Sequence, residues 1–336
     1  MAAGSIAGGL MGWKTLAAGA AATAAVLIGL GLAFAPILYA ETVMAPAWLH
    51  LATYPPPVPG YDARPGPALG TVVAGYWRVQ QIAADTWAIG EPQDDPDNYE
   101  YLLVGKTRAL LIDSGATQRD IRPVLATLSA LPVTVIPTHL HSDHTNGLLH
   151  FSSVALIDLP QTRARVRDGV FHLARYQFMG THADREPPLF RVTEWVKPDG
   201  VIDLGGRQVQ VLWTPGHTAT SVSIHDPAAK LLFTGDLIYT TTLYAFMPDS
   251  SLSAYVATAD RLLAQMPADT VIYGAHCCRN DAVAQAPWLR MDDLRDVRQA
   301  AADIRSGNAK GRGGLLRRFP VNARMTLLTF YPFGNR

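Results

Sequence analysis

Hydrophobic and polar positions change period several times along the chain, and each change marks an element. Residues 79–89, 99–104 and 108–112 are short runs rich in β-branched and aromatic side chains. Turn-forming residues divide them, Pro92-Gln93-Asp94-Asp95-Pro96 and Gly105-Lys106, so they predict strands. Apolar residues then recur at helical spacing over 121–131, and 133–137 is again a β-like run. A strand–helix–strand unit follows. Beyond it, 154–157 predicts a short strand and 161–178 an amphipathic helix, with Val166, Val170, Leu173 and Phe178 apolar and Arg163, Arg165, Arg167 and Arg175 on a solvated face. Residues 180–188 read as loop. Strands are predicted at 201–204, 208–213, 222–225, 231–233, 270–273 and 325–331, a helix at 252–263, and a hairpin turn at Gly205-Gly206. Residues 305–318 are basic and Gly-rich, and no short repeat is present.

The amino-terminal part has a different texture. No charged residue occurs from Thr15 to Ala40. At ~1.5 Å per residue this run is long enough for a hydrocarbon core of ~30 Å. It exceeds a signal peptide's apolar region, and its cleavage sites are poor, because Pro36 would follow Ala33-Phe34-Ala35 and Leu38 is bulky. The segment 41–76 is Pro-rich, a stiff spacer. The predicted organisation is therefore an N-terminal segment at 1–15, a transmembrane anchor or signal segment at 16–40, a Pro-rich linker at 41–76 and a folded domain at 77–336. Lys14 before the run and Glu41 after it place the bulk of the chain outside the cytoplasm, periplasmic in a bacterium, or exported if the segment is cleaved.

Composition narrows the function classes. A hydrophobic content of 49% over 336 residues supports a real core. With 28 basic and 28 acidic residues there is no electrostatic footprint for nucleic acid. Cys277 and Cys278 are adjacent, a geometry that rarely closes a disulfide without strain.

The densest chemistry follows the 133–137 run, where Thr138-His139-Leu140-His141-Ser142-Asp143-His144 places three imidazoles and a carboxylate within six residues. These are ligand types that zinc prefers. Alternate side chains of an extended segment share a face, so His139 and His141 should grip one ion. Three later strands also end in a polar residue: Thr214-Pro215-Gly216-His217, Thr234-Gly235-Asp236 and Gly274-Ala275-His276. Seven ligands suffice for two metal ions. His139, His141 and His217 would hold the first, and Asp143, His144 and His276 the second. Asp236 is the natural bridge, since a carboxylate can span metals ~3.5–4 Å apart. Two zinc ions per chain are expected, with iron or manganese as alternatives.

With Asp113 in Leu111-Ile112-Asp113-Ser114-Gly115, these motifs resemble the metallo-β-lactamase superfamily over about residues 77–278. The resemblance implies an α/β fold, a four-layer αββα sandwich, here preceded by the N-terminal hydrophobic helix, with a dinuclear site at one edge. It gives Asp113 a structural role rather than a ligand's. Where the family usually has glycine after Thr145, this chain has Asn146 followed by Gly147. Asp236 as a bridge resembles the glyoxalase II, lactonase and thioesterase branches, whereas true β-lactamases usually lack it. Asp236-Leu237-Ile238-Tyr239 is similar to the Asp-x-x-Tyr of acyl-homoserine-lactone lactonases, which makes Tyr239 a candidate oxyanion donor. Residues 236–263 also resemble hydrolases of acyl-coenzyme A thioesters, and Tyr244 and Phe246 are candidates for an acyl pocket or for core. The expected function is a metal-dependent hydrolase in which hydroxide between two metals attacks the carbonyl of a small-molecule ester, thioester or lactone. Asp143, Asp236 and Tyr239 would take part. β-Lactam cleavage as main or side activity, a non-catalytic binding protein and an iron-using oxidase are the alternatives.

Overall fold

Alternation along single strands sets the layering. In the computed structural model, which describes residues 71–91, 97–177, 186–277, 286–314 and 316–330, strand Asp97–Val104 sends Tyr101 and Leu103 to one apolar cluster and Leu102 to another. It lies within the first large sheet. There Thr71–Val73, Trp77–Ala83, Thr86–Glu91, Asp97–Val104, Ala109–Ile112 and Val133–Ile136 follow one another in space, and His276–Cys277 pairs with Asp97–Val104. The strand Thr71–Val73 thus brings into the sheet residues expected in the linker. A second sheet runs Gly200–Asp203, Gln208–Trp213, Val222–Asp226, Leu231–Gly235, Val271–Gly274 and Trp288–Arg290.

Between the sheets lie Leu110, Ile112 and Ile136 from the first and Val209, Val211, Ile224 and Phe233 from the second. Each fully buried chain of this kind contributes roughly 1.5–3 kcal/mol. The outer face of the first sheet packs Leu102, Leu111 and Val135 against Val124 and Leu125 of helix Arg122–Leu128. The outer face of the second meets helices Leu252–Gln265 and Met291–Ser306. Helix, sheet, sheet, helix is the consequence. A smaller sheet, in the order Thr241–Tyr244, Met325–Phe330, Leu316–Pro320 and Arg312–Gly313, extends from the second helical layer.

Two elements depart from the periodicity. The helix expected over 161–178 is one turn, Pro160–Arg163, followed by the hairpin strands Val166–Arg167 and Val170–Phe171. Asp168 and Gly169 take φ of 51° and 75°, the pair of positive values that a two-residue hairpin turn needs and an Asp-Gly step supplies. Val166 and Val170 are four apart in sequence but sit on two strands. Conversely, Met291–Ser306 is a full helix in a stretch where charged residues of both signs interrupt the apolar positions. It buries Met291, Leu294, Val297, Ala301 and Ile304 at spacings of three and four. The Asp293 carboxylate accepts from Arg290 N at 2.8 Å, and Gly307 stops the helix at φ 79°.

The expected anchor at 16–40 lies outside the described residues, as does most of the Pro-rich segment. Among the described residues no helix is long and apolar enough to cross a membrane.

Strand direction brings the site together. Ala109–Ile112 runs parallel to Val133–Ile136, and Leu231–Gly235 parallel to Val271–Gly274. Each of these four strands delivers its next polar residue, Asp113, Thr138, Asp236 or His276, to one edge. Gly235 makes the junction possible: at φ 52°, a Cβ there would come within 2.3 Å of Thr138 Oγ1.

Candidate metal centre

The histidine loop is fixed from behind by Asp113. This residue follows its strand at φ 62°, a left-handed conformation that aspartate tolerates better than most residues. Its Oδ1 accepts from Thr138 N at 2.6 Å and its Oδ2 from Thr138 Oγ1 at 2.9 Å. His144 Nδ1 also donates to Oδ2, at 3.0 Å, which leaves His144 Nε2 aimed into the site. Ser142–Thr145 is a single helical turn. The His144 carbonyl accepts from Ser114 N and Ser114 Oγ, both at 3.0 Å, and Asn98 Nδ2 donates to the Asp143 carbonyl at 2.9 Å. Asn146, at the family's glycine position, is buried and donates to Ala116 O at 2.6 Å. The close approach falls on Gly147 instead, where a Cβ would lie 2.2 Å from the Ser114 carbonyl.

The structure brings the seven expected ligands together. His141 Nδ1 lies 2.9 Å from His139 Nε2 and 3.0 Å from His217 Nε2. His217 Nδ1 donates to the Tyr244 carbonyl at 2.7 Å, which turns Nε2 toward the other two rings. Three ring nitrogens meeting this closely cannot all be satisfied by protons, and a cation between them satisfies all three. On the other side, His276 Nε2 is 3.4 Å from Asp143 Oδ2 and 3.2 Å from Asp236 Oδ1. His144 Nε2 is 3.5 Å from Asp236 Oδ1, whereas Asp236 Oδ2 is 3.5 Å from His217 Nε2. The two oxygens of Asp236 thus face different histidine groups. His144 Nε2 and Asp236 Oδ1 are buried with no hydrogen-bond partner, an arrangement that burial penalises unless a cation completes it. These donors fit a metal site.

Electrostatics divide the cluster. Burial and the neighbouring histidines push His139 far below its ordinary range and hold His141 at about 3. Burial acts the same way on His144, but Asp113, Asp143 and Asp236 outweigh it and raise the ring to about 9. His276 is raised for the same kind of reason, by Asp236 and Asp143 against its burial. Burial would raise Asp236, yet His276 and His144 bring it down to about 2, and Asp143 is lowered likewise by His144 and His276. In the metal-free fold, then, His139 and His141 are neutral, whereas His144 and His276 hold protons. Relative to an unfolded ring near 6.5, the His144 contribution to metal-free stability is full below about 6.5 and lost as pH rises through about 9. Metal must displace these protons. Calorimetric loading at pH 7.5 in buffers of different ionisation enthalpy should therefore show net proton release. The release should shrink as pH is raised past 9.

Tyr239, the candidate oxyanion donor, lies beside His276. Its hydroxyl donates to the Thr242 carbonyl at 2.6 Å, and its buried ring stands edge-on to His276 with centroids 5.1 Å apart. Phe246 is buried and Tyr244 half-buried, their rings 5.5 Å apart. Cys277 is buried, and Cys278 lies outside the described residues. Three supporting residues escaped the sequence. Asn98 is the cross-strand partner of His276, Ser250 Oγ donates to the His217 carbonyl at 2.6 Å, and Tyr255 donates to the Asp236 carbonyl at 3.3 Å. Each contact joins residues that only the fold makes neighbours.

The comparisons agree with this geometry. The family profile of the metallo-beta-lactamase superfamily matches residues 100–276, and the chain belongs to that superfamily. A Gallus gallus protein named acyl-coenzyme A thioesterase MBLAC2 is 30% identical over 188 residues, 48% of this chain and 65% of that protein. A hydroxyacylglutathione hydrolase of Mesorhizobium japonicum is 29% identical over 157 residues, 46% of this chain and 53% of that protein. The matches thus span less than two thirds of these relatives. The solved metallo-beta-lactamase from Pontibacter korlensis superposes with a TM-score of 0.50 at 20% identity, covering 68% of this chain and 99% of that one. At that identity the likeness is one of fold.

Proposed function

We propose that this chain is a two-zinc hydrolase of small-molecule acyl thioesters. The observation that carries the reading is Asp236, whose Oδ2 faces His217 while its Oδ1 faces His144 and His276. A carboxylate so placed is suited to hold two ions at a fixed separation. His139, His141 and His217 would hold one ion, and Asp143, His144 and His276 the other. When bound, such ions supply a hydroxide nucleophile at neutral pH and Lewis acidity toward a carbonyl.

The remaining roles belong to the chain's own groups. Asp113 and the Tyr244 carbonyl each take one N–H of a ligating histidine, so that His144 and His217 keep their Nε2 lone pairs inward. Tyr239 acts as a wall that orients His276, its hydroxyl being engaged by Thr242. Thioesters are preferred to lactones and β-lactams because two relatives carry thioesterase or acylglutathione hydrolase names. The charge-free run at 16–40 supports attachment to a membrane with the domain outside the cytoplasm.

A screen of the metal-loaded full chain tests the substrate class. One acyl group should be presented as thioester, oxygen ester and lactone, with a chromogenic β-lactam alongside. Thioester turnover at least ~10-fold above the others is expected, and its loss after chelation. Faster β-lactam cleavage, or undiminished turnover in the chelated sample, would overturn the assignment.

A further inference from the structure

The small sheet beside the metal centre carries a row of residues from the site to a basic edge. Tyr244 pairs with Leu328, Leu328 with Arg318, and Arg318 with Arg312. Paired residues of adjacent strands share a face. Their neighbours Leu243, Leu327 and Phe319 belong to the apolar cluster under the helices, so the row lies on the opposite face. Its inner end is tied to the centre, because the Tyr244 carbonyl holds His217. Its outer end sets two arginines directly opposite each other, an arrangement that costs stability in a strand pair unless something anionic offsets it. Arg318 is half-buried and Arg312 exposed, and among the described residues neither has an acidic partner. The acids of the adjacent helix are engaged elsewhere: Asp292 by Arg295, Asp293 by Arg324, Asp296 by Asn322 and Asp303 by Gln299. Lys310 adds a third cation two positions before Arg312.

We propose that Arg312 and Arg318 bind the phosphates of a nucleotide carrier to which the acyl group is joined as a thioester. The inference rests on the thioesterase reading and adds a second contact for the substrate, far from its reacting carbonyl. Strands lie ~4.8 Å apart, so Arg312 is three steps, roughly 14 Å, from Tyr244. An extended arm of two amide units and a thioethyl group has about the reach of four to five residues, on the order of 15 Å. A carrier of coenzyme A type, with its thioester at the metals, places its phosphates at that distance. Guanidinium groups suit phosphate through paired, charge-assisted hydrogen bonds.

The test uses the full chain, its R312Q/R318Q variant and the charge-retaining R312K/R318K variant, each folded by circular dichroism and thermal midpoint. Adenosine 3′-phosphate 5′-diphosphate is titrated into each by calorimetry. The expected result is binding by the parent chain, weakened about 30-fold in the glutamine variant and largely kept in the lysine variant, with strong salt dependence. In parallel, kcat/KM is compared for one acyl group on coenzyme A and on N-acetylcysteamine, which lacks the phosphates. The preference for coenzyme A should fall toward unity in the glutamine variant through KM.

No nucleotide binding by the parent chain, or equal binding by both variants, overturns the proposal. So does arginine-dependent binding of phosphatidylglycerol vesicles without nucleotide binding, which would assign the row to a membrane surface. Arginine-dependent nucleotide binding with no thioester turnover upholds the site and fails the thioesterase reading. Thioester turnover with an unchanged carrier preference does the reverse.

Discussion

Asp236→Asn should lower thioester kcat by at least ~10³-fold while leaving the protein folded. Asp236 is buried and its two oxygens face opposite halves of the centre. Asparagine has nearly the same shape but offers one acceptor oxygen and no charge. With two ions bound as proposed, one half of the site would lose a ligand and the other the negative charge that offsets the cations. Removing a single group of this kind commonly costs roughly 4 kcal/mol of transition-state stabilisation. The backbone should be undisturbed, because Tyr255 and Ala275 approach Asp236 and Gly235 through main-chain carbonyls. Steady-state kinetics with saturating zinc, beside a urea midpoint, separates the two effects. A kcat within tenfold of the parent would show that Asp236 does not bridge.

Asp113→Asn should behave in the opposite way, losing stability and metal affinity but recovering turnover in excess metal. Asparagine tolerates the φ of 62°, so the backbone itself is not strained. The hydrogen bonds are the difference. Asp113 accepts from Thr138 N, Thr138 Oγ1 and His144 Nδ1. An amide presents one acceptor and a donating NH₂, which leaves at least one buried N–H or O–H opposed by another donor. The expected loss is about 2 kcal/mol of folding stability. His144 would no longer be held in the tautomer that points Nε2 inward, and affinity at the second group should fall ~10–100-fold. Zinc titration followed by turnover reads this directly. If excess zinc restores nothing, Asp113 does more than position His144.

The contrast between these residues shows how far the sequence reaches. The cluster from His139 to His144 follows the apolar strand Val133–Ile136, and His217, Asp236 and His276 each come within two residues after a glycine that lets the chain turn, a pattern local enough to read from the sequence. The grouping of His139 with His141 follows from alternation in an extended segment. Hydroxyl direction is not local: the spacing makes Tyr239 a candidate oxyanion donor, and only the fold shows its hydroxyl donating to the Thr242 carbonyl three residues on. Asn98 carries no signal, since its place beside Asp143 and His276 comes from an antiparallel pairing across the whole domain. Between Val166 and Phe171, periodicity of 3.6 competed with an Asp-Gly turn, and the turn prevailed because its two positive φ values end any helix. The helix Met291–Ser306 shows the reverse. Its apolar residues have helical spacing, but seven charged residues lie among them, and the face is defined by its burial against Leu252–Gln265.

The central claim is that two ions act together in one site. Stepwise zinc addition to the chelated full chain, with bound metal counted by elemental analysis and thioester turnover followed in parallel, tests it most directly. Bound metal should plateau at two zinc ions per chain, with most turnover appearing between the first and second equivalents. Full turnover with one ion or fewer per chain would contradict it.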